Sequence, residues 1–216
     1  MMDFSFLEVH KEDFIDGFLT TLSVSLVALV LSLIIGTIIA IFRISPLAIL
    51  RAIGTAYVEF FRNTPLVIQV FFFYFGLASI HINLSKFFVG SLGLAIYTGS
   101  FMAEAIRAGI QAVPKGQMEA ARSSGLSYVQ AMWHVILPQA FKLIIPPLGN
   151  QFINLVKNSS VLAIIAGTDL LYAADVAIAN YDVTSVYVLV ALLYLVITIP
   201  LSIGVNYLEK RWAKKG

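Results

Sequence analysis

The chain has no cysteine, so neither a disulfide nor thiol chemistry enters its function. Its three histidines, His10, His81 and His134, are scattered and give no zinc spacing, and no metal site is expected. Charge is scarce: 12% of the 216 residues are charged, against roughly 25% in a soluble domain. With a net charge of +2 and no basic–aromatic stripe, nothing points to a nucleic-acid partner. No G-x-x-x-x-G-K-[ST] phosphate loop occurs, so nucleotide hydrolysis is left to some other polypeptide. Nor is there a nucleophile–base pairing of the kind an enzyme needs. Apolar residues make up 59% of the chain, the composition of a protein whose surface faces lipid.

Long uncharged runs divide it. Residues 1–16 are polar and hold five of the twelve carboxylates. They lack the basic start of a signal peptide and read as an external, exposed N-terminal segment or a short surface helix. Residues 17–42 contain no charge, ample for a bilayer that needs about 20 apolar residues. Further spans are expected at 53–78, 87–107, 142–167 and 183–208, with a short surface helix within 169–182. The whole is then one all-α membrane domain of five transmembrane helices, ending in a tail at 209–216. Ten of the fourteen basic residues (Arg43, Arg51, Arg107, Lys115, Arg122, Lys142, Lys210, Arg211, Lys214 and Lys215) fall on one side. That side is cytoplasmic by the positive-inside rule, which puts the N-terminus outside and the C-terminus in the cytoplasm of a cell-membrane protein.

Between the third and fourth spans lies a polar stretch, residues 114–138, whose local signals specify two short helices at an angle. Pro114 suits a first helical position, and Gly125 suits the left-handed residue past a helix end. Ser127 with Gln130 three residues on makes a capping box. Pro138 is expected to break the second helix before the chain turns apolar again. Such a bent element suits a partner's groove.

Glu119-Ala120-Ala121, then Gly125, then Leu137-Pro138 resembles the EAA loop of ABC importer permeases, the segment that docks on the ATPase subunits. Val135 stands where that family has isoleucine. Glu59-Phe60-Phe61-Arg62-Asn63-Thr64-Pro65-Leu66, with Gln69 beyond, resembles the second helix of the polar amino acid permeases, the histidine, glutamine, glutamate and arginine group, which commonly has glycine where Asn63 stands. Lys157-Asn158-Ser159-Ser160 is similar to a later helix of the same group. The resemblance spans roughly residues 15–212. It implies the type I ABC importer permease fold, two ATPase subunits, a second permease subunit (identical or related) and an external binding protein. No cofactor is expected on this chain, since ATP and magnesium belong to the partner ATPase.

Charged groups inside a membrane are costly and by default mark a pathway. At about 1.5 Å per residue across a core of about 30 Å, residues 59–65, 97–100 and 151–157 all reach mid-depth. The segments from Phe61 to Leu66 and from Val156 to Val161 also echo one another, each with an apolar residue, a basic residue, Asn and a hydroxyl, a trace of an internal repeat. Pro65 removes an N–H and frees the Phe61 carbonyl, exposing backbone to a ligand or water.

A zwitterionic amino acid needs donors for its carboxylate and acceptors for its ammonium. Arg62, Lys157, Thr64, Ser159 and Ser160 offer the former; Glu59, Glu104, Gln69, Asn150 and Asn154 offer the latter, and Asn63, Thr98 and Ser100 lie alongside. Each has a structural alternative. Glu59–Arg62 and Glu104–Arg107 have the spacing of ion pairs within one helix, the asparagines could bond neighbouring helices, and Thr98 and Ser100 could serve close packing. The expected function is the membrane subunit of an ATP-driven importer of polar amino acids. Basic ones (arginine, histidine, lysine) stand first, then glutamine and glutamate. The alternatives are a type I permease for another small solute and a channel-like oligomer needing no ATPase.

Overall fold

A computed structural model describes residues 4–213, all of whose regular structure is helical. Residues 1–3 and 214–216, the latter the end of the expected tail, lie outside the described residues. In order the elements are α1 (Phe6–Ile44), α2 (Ala48–Asn63), α3 (Leu66–Phe71) running into a π-helical turn (Phe72–Gly76), α4 (Lys86–Gln111), α5 (Lys115–Ser123) and α6 (Tyr128–Ala131). A second π-helical turn (Met132–Ile136) leads into α7 (Leu137–Asn158), a 3-10 turn (Ser159–Ile165), α8 (Leu170–Ala177) and α9 (Val183–Ala213).

α4 is the axis of the bundle. Its buried residues include Gly90, Ser91, Gly93, Ala95, Thr98, Gly99, Ser100 and Ala103, small side chains that let neighbouring helices approach closely. α1 answers with Thr21, Ser25, Ala28, Ser32 and Gly36 on its buried face. A Cβ added at Gly36 would lie 2.7 Å from the Met102 Cβ, so this crossing requires glycine. Val70, Leu94, Leu155 and Leu162 complete the central core, joining α3, α4, α7 and the 3-10 turn. α9 stays on the outside, with Leu195, Val196 and Ile203 exposed.

Two features depart from the sequence reading. From Phe6 onward, the residues expected to form a separate external segment are the first turns of α1. Phe6, His10 and Phe14 fall on one helical face, and the two phenylalanines pack on Leu170, Ala174 and Val186 while Glu8, Glu12 and Asp13 stay exposed. The second span, by contrast, is split at Pro65 as that residue implies: α2 ends at Asn63, and Thr64 and Pro65 are extended (ψ 132° and 134°).

Pro138 does not break its helix. It occupies the first turn of α7, and the π turn just before it accommodates the ring and the missing donor. Three helices, α1, α4 and α9, are by themselves long and apolar enough to cross a membrane. The helical run Tyr128–Ile165 joins them if it is counted with α8, from which it bends by 46°. α2 is shorter and carries Arg51, Glu59 and Arg62.

Candidate functional site

The break at Pro65 is closed by one side chain. Gln69, 4% exposed, donates from Nε2 to the Phe61 carbonyl at 2.9 Å and to the Thr64 carbonyl at 3.1 Å. The Phe61 carbonyl is therefore not offered to a ligand, as the proline alone had suggested; the chain satisfies it from within. Thr64 Oγ1 donates to the Phe60 carbonyl (2.7 Å), and Asn63 Nδ2 to the Glu59 carbonyl (2.7 Å) and to Glu59 Oε2 (3.2 Å). Asn63, Thr64 and Gln69 thus tie off carbonyls that the last turn of a helix leaves open.

Glu59 and Arg62 do not pair with each other. Glu59 accepts from Asn63, while the Arg62 guanidinium lies 5.0 Å from the centre of the Phe101 ring on α4, a cation–π contact. Both remain exposed. On α4, Thr98 and Ser100 are buried, and Ser100 Oγ donates to the Tyr97 carbonyl at 2.6 Å. Glu104 is held between Arg43 of α1 and Arg107 of its own helix, whose Nε donates at 3.1 Å. That carboxylate pins α1 to α4 near one end of the bundle.

At the other end of α7, Asn150, Asn154 and Lys157 follow a four-then-three spacing and are exposed on one face. Ser159 is buried and donates to the Val156 carbonyl (2.8 Å); Ser160 donates to the Lys157 carbonyl (2.9 Å). The two segments that echo one another in sequence share a structural event: α2 ends at Asn63 and α7 at Asn158, and each is followed by a change of helix type or direction.

The candidate residues therefore divide. Gln69, Thr98, Ser100 and Ser159 are buried, and three of them, Gln69, Ser100 and Ser159, bond nearby backbone carbonyls. Glu59, Arg62 and Asn63 on α2, with Asn150, Asn154 and Lys157 on α7, form two exposed polar faces on helices that both pack against α4. Exposed charges and amides at bilayer depth cannot face hydrocarbon; they require water or a second chain.

The polar hook between α4 and α7 carries the caps its residues specify, except that Pro114 (ψ 132°) stands just before α5 as its N-cap residue and not at the first helical position. Gly125 has φ +88°, and the Leu126 N–H donates to the Ala121 carbonyl (3.2 Å) while the Gly125 N–H donates to that of Arg122 (3.0 Å), the paired bonds of a Schellman end. Ser127 Oγ accepts from the Gln130 N–H (3.2 Å), and Gln130 Oε1 accepts from the Ser127 N–H (2.8 Å). Val113, Ile136, Ala140 and Ile144 fix the hook on the bundle. Glu119, Ala120 and Pro138 are exposed, Leu137 is half-buried and Ala121 faces inward.

Tyr128, Val129 and Trp133 stand out from the hook at 52%, 73% and 68% exposure. Sequence reasoning passed over this apolar patch, although the four-residue spacing of Val129 and Trp133 within a polar loop was its signal. It also passed over Asp169, fully buried, which caps α8 by accepting from the Leu171 (3.3 Å) and Tyr172 (3.4 Å) N–H groups. Burial pushes its carboxyl up to about 6, against the pull of those N–H groups.

A helical bundle of this kind, with long apolar helices, two exposed polar faces and an apolar-tipped polar hook, suits a membrane transport subunit. Residues 15–214 match the family of binding-protein-dependent transport system inner membrane components. The chain is 57% identical over 214 residues to the probable glutamine ABC transporter permease protein GlnM of Bacillus subtilis (strain 168), covering 99% of each chain. It is 35% identical to GlnP, another probable glutamine permease of that organism, covering 97% of this chain and 99% of that one.

Among solved structures, the crystal structure of an amino acid ABC transporter with histidines superposes with a TM-score of 0.91 at 36% identity, covering 98% of this chain and 99% of that one. The inward-facing MetNI methionine ABC transporter (TM-score 0.72, 16% identity, 98% and 99% covered) shares the fold. The chain belongs to the binding-protein-dependent transport system inner membrane component family. It is an ABC importer permease, a multi-pass protein of the cell membrane and not a catalytic subunit; ATP hydrolysis occurs on a partner ATPase.

Proposed function

We propose that this chain forms the translocation pathway for a polar amino acid, glutamine foremost, in an ATP-driven importer. What supports the reading is the pair of exposed polar faces on α2 and α7, helices that both pack against α4, at the mid-depth expected from helix length alone. Arg62 and Lys157 suit an amino acid's carboxylate; Asn150, Asn154 and Glu59 suit its ammonium or a side-chain amide. A basic substrate, expected from Glu59 and Glu104, is no longer first. Glu104 is neutralised by Arg43 and Arg107, Glu59 accepts from Asn63, and the relatives at 57% and 35% identity are named for glutamine.

The complex that fits this reading has two permease subunits, two ATPase subunits that bind ATP and magnesium, and an external binding protein. Its basic ends, Arg43, Arg51, Lys115 and Arg122 among them, face the cytoplasm by the positive-inside rule. ATP-driven closure of the ATPases would move the hook, shifting the bundle between inward- and outward-facing populations. The test is uptake of radiolabelled glutamine into proteoliposomes holding the complete complex, with competing unlabelled glutamine, arginine, glutamate and histidine. Uptake that requires ATP and is competed by glutamine before arginine supports the reading. Uptake without the ATPase would favour a channel, and competition by an unrelated solute would favour a permease of other specificity.

A further inference from the structure

A cleft of about 760 Å³ opens at the basic end of the bundle, between the turn joining α1 to α2 and the start of the hook. Three cations line it from three elements: Arg43 at the end of α1, Arg51 in α2 and Lys115 in α5; no carboxylate is among its lining residues. Arg51 is anchored, its Nη1 donating to the carbonyls of Ser45 (3.0 Å) and Pro46 (2.7 Å). Arg43 shares the Glu104 carboxylate with Arg107, so two guanidinium groups meet one negative charge. Among the described residues neither Arg51 nor Lys115 makes an ion pair. The cleft therefore carries a surplus of positive charge.

Ser45, Gln111 and Tyr128 add polar groups, and the rest of its lining is apolar, with Ile110, Met118 and Met132 contributing. Immediately outside, Leu47 and Ile49 are 58% and 70% exposed, on the same turn and helix that supply Arg51. Cations thus sit next to exposed apolar side chains, in a cleft roomy enough for more than a phosphate group.

We propose that this cleft binds the headgroup of an anionic phospholipid of the inner leaflet, its phosphodiester held by Arg43, Arg51 and Lys115 and its glycerol and upper acyl chains lying on the apolar walls. A free phosphate uses the cations and leaves the apolar walls bare; a lipid uses both. Bound there, the lipid bridges the α1–α2 turn to the hook and makes coupling sensitive to leaflet composition. The proposal takes the basic end to be cytoplasmic, as above. That assumption fails separately, if a membrane-impermeant thiol reagent reaches a Lys115→Cys variant from outside.

The experiment compares the complete permease–ATPase complex in nanodiscs of phosphatidylcholine with graded phosphatidylglycerol, reading retained lipid by native mass spectrometry. Phosphatidylglycerol is expected to be retained in preference to phosphatidylcholine, about fivefold less tightly for each cation removed by Arg51→Gln or Lys115→Gln. Arg51→Lys, which keeps the charge, retains more than Arg51→Gln and separates lost binding from lost folding. Inorganic phosphate leaves the retained lipid in place. Equal retention by wild type and the glutamine variants, equal retention of the two lipids, or displacement by inorganic phosphate would each overturn the proposal.

Discussion

The side-chain amide of Gln69 sits 2.9 Å from the main-chain carbonyl of Phe61, eight residues back and across the Pro65 break. With its second bond to the Thr64 carbonyl, it fixes the end of α2 against the start of α3. Glu59 and Arg62 project from the turn so fixed, which makes Gln69 a positioning residue for the polar face.

Gln69→Met keeps the bulk and removes both donors. Two part-buried carbonyls lose their partner, at a cost of up to about 1–3 kcal/mol each where no water replaces it. The expected outcome is a lowered thermal midpoint of the purified complex together with reduced substrate uptake. Gln69→Glu, which brings a carboxylate up to two carbonyls, should be worse. Unchanged uptake in both variants would return the break to a purely local irregularity.

The hook makes a separate prediction. Gly125→Val places a β-branched residue at φ +88°, costing about 1–2 kcal/mol of local stability. Trp133→Ala leaves the helix intact but removes the largest side chain of the exposed patch, a contact of the type that dominates interfaces at about 2 kcal/mol or more. Both variants should co-purify with less ATPase, and the tryptophan variant should do so without loss of permease stability. Full ATPase retention by Trp133→Ala would show that the patch faces something else.

What the sequence made legible was local. The capping box of Ser127 and Gln130, the left-handed Gly125 and the break at Pro65 are each written within a few residues, and each stands in the structure. What it hid depends on distance or on balance between neighbours. Nothing in the run around Arg43 says that it meets Glu104, sixty-one positions on, and nothing around Pro65 says that Gln69 turns back to close it. Pro138 looked like a helix stop because a proline in a regular helix is one; the π turn ahead of it removes the conflict. The carboxylates of the first residues concealed Phe6 and Phe14, whose shared helical face anchors α1 on α8.

Asp169 gives a pH prediction. Its folded-state value of about 6 lies above the ordinary 3.8, so the folded form holds the proton more tightly. The associated stability is full below the ordinary value and is lost as pH rises through the folded one, an effect of about 3 kcal/mol at most. Thermal midpoints measured from pH 4.5 to 7.5 should fall across this window in wild type. Asp169→Asn, which still accepts from the α8 N–H groups, should flatten that fall. An identical pH profile in the variant would assign the dependence to another group.

The absence of cysteine makes the central claim directly accessible. In the complete complex in proteoliposomes, Asn154→Cys on the polar face of α7 and Leu195→Cys on the exterior of α9 are each treated with a water-soluble methanethiosulfonate reagent. The pathway reading predicts rapid modification at position 154, slowed by transported amino acid, and none at position 195. Modification at 195 with none at 154, or labelling at 154 indifferent to substrate, would contradict it.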